Sequence, residues 1–250
     1  MSRGMGLCRI AEKLLGASVA CILIVVAALC GYTAYDAALV NSASSAEAYL
    51  ANSGTTLDEA YRGACMQNQD VIGWIRMNGT GISQAIVQGQ DNSFYLTHDA
   101  SGADSFGGAC FLDWRANAGF SQGVPVVYGH NMAQGSMLGD VTRYVEESGY
   151  LENHRDGALC IQGTWYSVRA LCALRCSEKD RAVYDCLSDA GKGSFCHACE
   201  NLSTFACEHP APEHRLAALS TCSGNGQQRC VLVIAIENEN AAAASSPVTA

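Results

Sequence analysis

Three polar side chains whose types suit acyl-transfer chemistry stand at the ends of apolar runs. His130 follows VPVVYG, Cys222 closes LAALSTC, and Arg229 opens RCVLVIAIE. A cysteine thiolate can attack a carbonyl carbon, an imidazolium can protonate the leaving amine, and a guanidinium can stabilise the developing oxyanion. Each residue alone could equally serve packing or the surface. If strand ends bring the three together at the rim of a barrel, we predict a cysteine-dependent acyl-transfer site.

Eight short β-rich runs are available to position these residues. Asn78-Gly79 and Gly163-Thr164 are turn signals that each separate two neighbouring runs. Many short strands with few long helices predict a mainly β fold, an eight-stranded closed or nearly closed barrel. The predicted strands are 71–77, 82–88, 108–113, 124–129, 157–161, 165–176, 216–222 and 229–237.

Helices are predicted at three places around these strands. Thr56 and Glu59 form a possible capping box for a helix that runs to about Gln67. Residues 136–147 have apolar side chains at helical spacing. Residues 177–210 form the longest insertion between two strands, with a helix predicted near 181–190 and many cysteines.

The charge distribution predicts a membrane anchor and excludes some partners. Lys and Arg number 15 against 24 Asp and Glu, so no basic surplus is available for nucleic acid. Residues 14–35 contain no charge and would span about 33 Å as a helix. The preceding residues 1–13 are net positive, which predicts a cytoplasmic N-terminus and an extracellular remainder. A cleaved signal peptide, or lipidation at Cys30, are the alternatives.

The chain is therefore expected to consist of successive segments along its length. These are a cytoplasmic N-terminus (1–13), a single transmembrane anchor in the cell membrane (14–35), a stalk and N-terminal helix (36–69), a catalytic domain (70–237) that contains the Cys-rich insertion (177–210), and a disordered tail (238–250).

The cysteines allow three interpretations. Of 14 in total, 11 follow the membrane segment, where an extracellular location favours disulfides and an odd number leaves at least one thiol unpaired if all bonds are intramolecular. Free buried thiols are the second interpretation. The third is a zinc site, because Cys196, His197 and Cys199 lie close in sequence to Cys207 and His209.

Longer segments resemble the sortase family, most closely its class B. They are DVIGWIRMNGTGISQAIVQ (70–88), DNSFYLTHD (91–99), GGACFLDWRAN (107–117), VVYGHNMAQGSMLGDVTRY (126–144), and LSTC (219–222) followed by Arg229. One departure is Ala218, where the family usually has Thr before LSTC. The Cys-rich insertion is also unusual for the family.

The resemblance implies a fold and an activity. Sortases are membrane-anchored, extracytoplasmic cysteine transpeptidases, with protease-like hydrolytic chemistry, of mainly Gram-positive bacteria. They are built on an eight-stranded barrel, to which class B adds N-terminal helices and a helix-bearing insertion before the cysteine strand. Such an enzyme cuts a C-terminal sorting signal of a surface protein, NPxTN-like in class B, after Thr. It then joins the protein to an amine of a cell-wall precursor or pilin subunit.

The resemblance also assigns residues. It implies Cys222 as nucleophile, His130 as general acid and Arg229 as the ligand of the oxyanion, with no metal or other cofactor. Asn92, Ser220 and Thr221 become candidate substrate contacts.

Two other functions compete with this one. An L,D-transpeptidase also combines Cys, His and Arg, but with Arg two residues after Cys rather than seven. A non-catalytic, disulfide-rich binding ectodomain is the alternative from a different class.

Overall fold

The computed structural model describes residues 14–32, 55–131, 137–205, 208–222 and 228–248. The chain divides into two compact units, residues 1–42 and 43–250. In the first, helix α1 (Leu14–Tyr32) has a mean hydropathy of 2.6 and is long and apolar enough to cross a membrane, a test that a signal sequence would also pass. The predicted segment 1–13, the end of the predicted span at 33–35, and the predicted stalk at 36–54 lie outside the described residues.

The second unit contains the predicted eight-stranded barrel, which is confirmed. In order around the closed barrel the strands are β1, β2, β3, β4, β7, β8, β6 and β5. Two neighbouring pairs, β2 with β3 and β4 with β7, are parallel, and the others are antiparallel. The strands are β1 (Val71–Met77), β2 (Ser83–Val87), β3 (Cys110–Leu112), β4 (Val126–Tyr128), β5 (Asp156–Ile161), β6 (Thr164–Ser177), β7 (Leu216–Cys222) and β8 (Gln228–Glu239).

Helices surround the barrel. They are α2 (Leu57–Gln67), α3 (Val141–Glu146), α4 (Tyr150–Asn153), α5 (Arg181–Tyr184), α6 (Asp189–Leu202) and α7 (Ala241–Ala244). The predicted capping box is present at α2, where the Thr56 and Glu59 side chains each bond the other's backbone N–H. In the predicted helix 136–147, α3 begins only at Val141, because residues 137–140 form a bridge and a turn and Met137 has φ of 56°. Residue 136 lies outside the described part.

The helix-bearing insertion lies before the cysteine strand, as predicted, although its described residues form two helices, α5 and α6, rather than one near 181–190. Its side chains Val183 and Phe195 are fully buried against strand residues such as Ala218 and Val231. We call this cluster the insertion-side core. Because side chains alternate along a strand, Ser220 and Cys222 lie on the same face of β7 as Ala218. The insertion therefore covers the sheet face that ends at Cys222.

The C-terminal segment is ordered, and the prediction of a disordered tail at 238–250 is wrong for residues 238–248. Strand β8 continues to Glu239, and α7 follows it. Pro247 pairs with Thr56, its carbonyl oxygen accepts a hydrogen bond from Arg76, and Val248 is buried. The prediction of disorder rested on the small, polar composition of this segment. The contacts that order it come from residues that are distant in sequence, which composition does not indicate. Residues 249–250 lie outside the described part.

Candidate active site

A cleft of about 440 Å³ opens where β4, β7, β8 and the start of the insertion meet. All three residues singled out for chemistry line it. The described lining residues are Asn92, Leu96, Phe111, Arg115, Tyr128, Gly129, His130, Glu178, Lys179, Tyr184, Ser220, Cys222 and Arg229.

Cys222 and Arg229 are paired across two antiparallel strands. Cys222 is the last residue of β7 and lies directly opposite Arg229 near the start of β8. The Arg229 Nη1 group donates a hydrogen bond to Cys222 Sγ. On its other side, Arg229 Nη2 lies 3.4 Å from Oε2 of Glu178. The guanidinium is thus held beside the sulfur, where it can interact with an oxygen bound to the carbon that the sulfur attacks.

His130 follows β4, and β7 holds this end of β4 in place. Gly129 N donates to Ser220 O at 3.1 Å, and Thr221 Oγ1 donates to Gly129 O at 2.9 Å. Nε2 of His130 lies 3.2 Å from Leu96 O, so an N–H on Nε2 is needed for a hydrogen bond there. These bonds tie the backbone before His130 to the strand that carries Cys222.

Gly129 is required by the close packing at this point. A Cβ at Gly129 would lie 2.8 Å from Leu138 Cγ and 2.9 Å from Cys110 Sγ. Such distances do not occur between real Cβ atoms and their neighbours without a shift. The absence of a side chain at Gly129 therefore allows the backbone just before His130 to pack directly against Leu138 and Cys110.

The three predicted substrate contacts have different surroundings. Asn92 lines the cleft, and its Oδ1 accepts a hydrogen bond from Trp114 N at 3.0 Å. Ser220 lines it too, with its hydroxyl 3.0 Å from that of Tyr184. Thr221 is not among the described lining residues, because its side chain is buried and turned toward Gly129 O.

Sequence reasoning missed several residues that build the walls. Tyr128 on β4 and Tyr184 on α5 have rings whose centroids lie 6.2 Å apart and whose planes are inclined by 22°, and burial raises the pKa of both hydroxyls. Burial would also raise the pKa of Asp113, but hydrogen bonds from Arg115 outweigh it and hold the pKa below its ordinary value. Arg115 also reaches Tyr184 O at 3.3 Å. The Asp-x-Arg spacing in LDWRA was the available signal.

Disulfides, the first of the three interpretations, are not formed by eight of the cysteines in the described part of the barrel unit. Cys186 Sγ instead donates to Val183 O at 2.9 Å, and Cys196 and Cys199 pack in the insertion-side core as small apolar residues. Within the described part of the barrel unit, free thiols are found at Cys65, Cys160, Cys176, Cys186, Cys196, Cys199, Cys222 and Cys230. Cys230 is fully buried while Arg229 lines the cleft, so the two neighbours face opposite ways, as the strand alternation predicted.

The zinc interpretation also lacks a ligand set among the described residues, where no group of three or more metal-binding side chains is found. His197 lies on an exposed helix face with Nδ1 3.1 Å from Glu200. Cys207 lies outside the described residues.

Comparisons with known proteins return sortases of class B. Sortase B of Listeria monocytogenes is 35% identical over 80 residues, which are 32% of this chain and 32% of that protein. Sortase B of Staphylococcus aureus is 25% identical over 157 residues, 62% of this chain and 64% of that protein. The chain thus matches less than two thirds of the length of either relative. No family model matches it.

Solved structures give the same result for the fold. Sortase B of Clostridium perfringens has a TM-score of 0.63 at 25% identity, over 71% of this chain and 98% of that one. A sortase B–substrate complex of Staphylococcus aureus has a TM-score of 0.63 at 23% identity, over 71% and 84% of the two chains. In sequence and in fold, the chain is therefore similar to class B sortases, the family that its motifs resemble.

Proposed function

We propose that the chain is a membrane-anchored, extracytoplasmic cysteine transpeptidase of the class B sortase type. The observation that carries this proposal is that Cys222, Arg229 and His130 line one cleft. In this cleft the Arg229 guanidinium donates a hydrogen bond to the sulfur of Cys222. A nucleophile, a proton donor and a group that stabilises the oxyanion are what cysteine acyl transfer uses, and Arg229 can supply the third.

In the first half of the reaction, the Cys222 thiolate attacks the carbonyl carbon of the Thr in an NPxTN-like sorting signal. The carbonyl oxygen becomes an oxyanion, which the Arg229 guanidinium stabilises as the charge develops. His130 gives its proton to the leaving amine, the C–N bond breaks, and a thioacyl enzyme remains. Asn92 and Ser220 are proposed contacts of the bound signal, whereas the bond from Thr221 to Gly129 favours a role in bracing the end of β4.

In the second half, an amine of a cell-wall precursor or pilin subunit attacks the thioacyl carbon and releases Cys222. The partners are then a surface protein that carries the signal and an acceptor with a primary amine, as in a Gram-positive cell wall. Helix α1 would anchor the enzyme once, with residues 1–13 in the cytoplasm and the barrel outside.

The two competing functions receive less support. An L,D-transpeptidase places Arg two residues after Cys, whereas here seven positions separate them across a β7–β8 pair. A disulfide-rich binding domain disagrees with the free thiols of the described barrel unit.

Mass spectrometry of the purified chain with an NPxTN-type peptide tests the proposal. We expect a thioacyl adduct on the wild-type chain and none on Cys222→Ala, with unchanged thermal unfolding because Cys222 is only half-buried. Cys65→Ala removes another thiol that is not fully buried, and should keep the adduct. Peptide cleavage by Cys222→Ala would contradict the assignment of Cys222 as the nucleophile.

A further inference from the structure

We propose that Glu178 binds the incoming ammonium of the acyl acceptor, an inference that rests on the proposed transpeptidase function. Glu178 is the first residue after β6, at the start of the insertion. Among the described residues that line the cleft it is the one carboxylate, whereas Arg115, Lys179 and Arg229 supply positive charge.

An amine acceptor is a cation at neutral pH, so the cleft must attract it despite these positive groups. Arg115 is already paired with the buried Asp113 at 2.9 Å and lies 3.6 Å from Asp185. Arg229 is held by Cys222 and Glu178. Glu178 therefore supplies the carboxylate charge of the described cleft lining. About half of its side chain (49%) remains exposed to an incoming ligand.

The position of Glu178 also suits the chemistry. Its carboxylate lies 3.4 Å from Arg229 Nη2, while Nη1 of the same guanidinium bonds Cys222 Sγ. The carboxylate and the sulfur thus contact the same guanidinium head group, which is planar and compact. An ammonium on Glu178 would therefore be placed beside the thioacyl carbonyl.

The transfer step balances with groups already in the cleft. The ammonium gives one proton to the Glu178 carboxylate, and its nitrogen forms a C–N bond to the thioacyl carbon. The second proton passes to His130, which is neutral after it protonated the first leaving amine. The C–S bond breaks, Cys222 leaves as a thiolate, and Glu178 returns its proton to solvent.

The test follows the partition of the thioacyl enzyme between hydrolysis and aminolysis. With an NPxTN-type peptide and glycylglycine as acceptor, the rates of thioacyl formation, hydrolysis and aminolysis are measured for Glu178→Gln, whose amide oxygen can still accept a hydrogen bond from Arg229. Its ratio of aminolysis to hydrolysis should fall about tenfold, the loss of one charge-assisted hydrogen bond. Glu178→Asp should recover part of the ratio. Hydroxylamine, which is uncharged at neutral pH, should show no defect.

A matched control and two contrary outcomes complete the design. Glu237 is another partly exposed glutamate (40%) paired with an arginine, Arg169 at 3.0 Å, and Glu237→Gln should leave the ratio unchanged. If Glu178→Gln slows thioacyl formation and aminolysis equally, Glu178 only positions Arg229 and the proposal fails. An unchanged ratio also overturns it. If the wild-type chain forms no thioacyl adduct, the proposed function itself fails.

Discussion

Cys222 and Arg229 face each other across β7 and β8, and the guanidinium of Arg229 donates a hydrogen bond to the sulfur of Cys222. The pairing joins two residues that are seven positions apart, and the barrel sheet fixes it through consecutive residue pairs from Leu216–Ala235 to Cys222–Arg229. Because the sheet holds the Arg229 backbone in place, its guanidinium is already positioned to stabilise negative charge that develops only in the transition state.

Replacement of Arg229 by Lys should impair turnover severely. A lysine ammonium is a single point charge and cannot contact sulfur and carboxylate with a planar fork. We expect kcat to fall by about 10²–10³-fold, the typical loss of one oxyanion-stabilising donor, while Cys222 remains open to alkylation. Peptide cleavage kinetics would measure it.

Arg175 supplies the matched control for this substitution. It is a β6 arginine of similar exposure that pairs with Glu146 at 2.7 Å, and the described lining of the cleft does not include it. Arg175→Lys should retain near-normal kcat. Comparable kcat values for Arg229→Lys and the wild-type chain would contradict the proposed role of Arg229.

Gly129→Ala should reduce both stability and activity. The added Cβ would meet Leu138 and Cys110 at under 3 Å, so the backbone before His130 must move. We expect a loss of about 1–3 kcal/mol in the free energy of unfolding, typical of overpacking, and a large drop in kcat. Urea unfolding and peptide cleavage would be compared with Gly63→Ala in α2, where nothing lies within 4 Å of the added Cβ. If both variants behave alike, the packing argument is wrong.

Alkaline pH should destabilise the barrel unit through its buried thiols. Burial raises the pKa of Cys160 and Cys186 to about 12, and that of Cys176 to about 11, from an ordinary value of 9.0. Above about pH 9 the unfolded thiols lose protons that the folded thiols keep. The free energy of unfolding should therefore fall by roughly 1 kcal/mol per pH unit for each such thiol, and the full stability is present below pH 9.

Urea titrations of the purified chain at pH 8, 9 and 10 would measure this decline. Cys160→Val removes one of the titrating thiols at similar volume, so its stability should fall less steeply with pH. A stability that stays level from pH 8 to 10 would show that the thiols ionise equally in both states.

Removal of the last five residues should destabilise the barrel unit without altering the cleft. A chain that ends at Ser245 loses the Thr56–Pro247 pairing and the acceptor that Pro247 provides for the buried Arg76. An unsatisfied buried guanidinium costs about 1–3 kcal/mol or more. Thermal unfolding would measure the loss, and a control chain that ends at Val248 keeps all these contacts. Equal melting temperatures for the two chains would rule out a structural role for this segment.

The sequence predicted all eight strands because local signals mark them. Turn pairs such as Asn78-Gly79 separate neighbouring runs, and the runs themselves are mostly apolar. The segment 238–248 was missed because Pro247 contacts Arg76 and Thr56, more than 170 positions earlier in the chain, and no local pattern encodes such contacts.

The site was predicted only in part for the same reason. His130, Cys222 and Arg229 belong to recognisable motifs, and all three line the cleft. Glu178 and Tyr184 belong to the insertion, and the spacing of residues in the insertion does not indicate which side chains line the cleft. Cysteine spacing likewise carries no information on whether two sulfur atoms approach each other, so it could not indicate which cysteines of the described barrel unit are free thiols.

The antiparallel bridge between Thr56 and Pro247 brings the two described ends of the barrel unit side by side. A short linker from residue 248 back to residue 55 would therefore make this part of the polypeptide circular without disturbing a strand. New termini could then be opened in a surface turn such as Gln162-Gly163, far along the sequence from Cys222. The barrel would then keep its eight hydrogen-bonded strand neighbours, because their order around the ring does not depend on where the chain is opened.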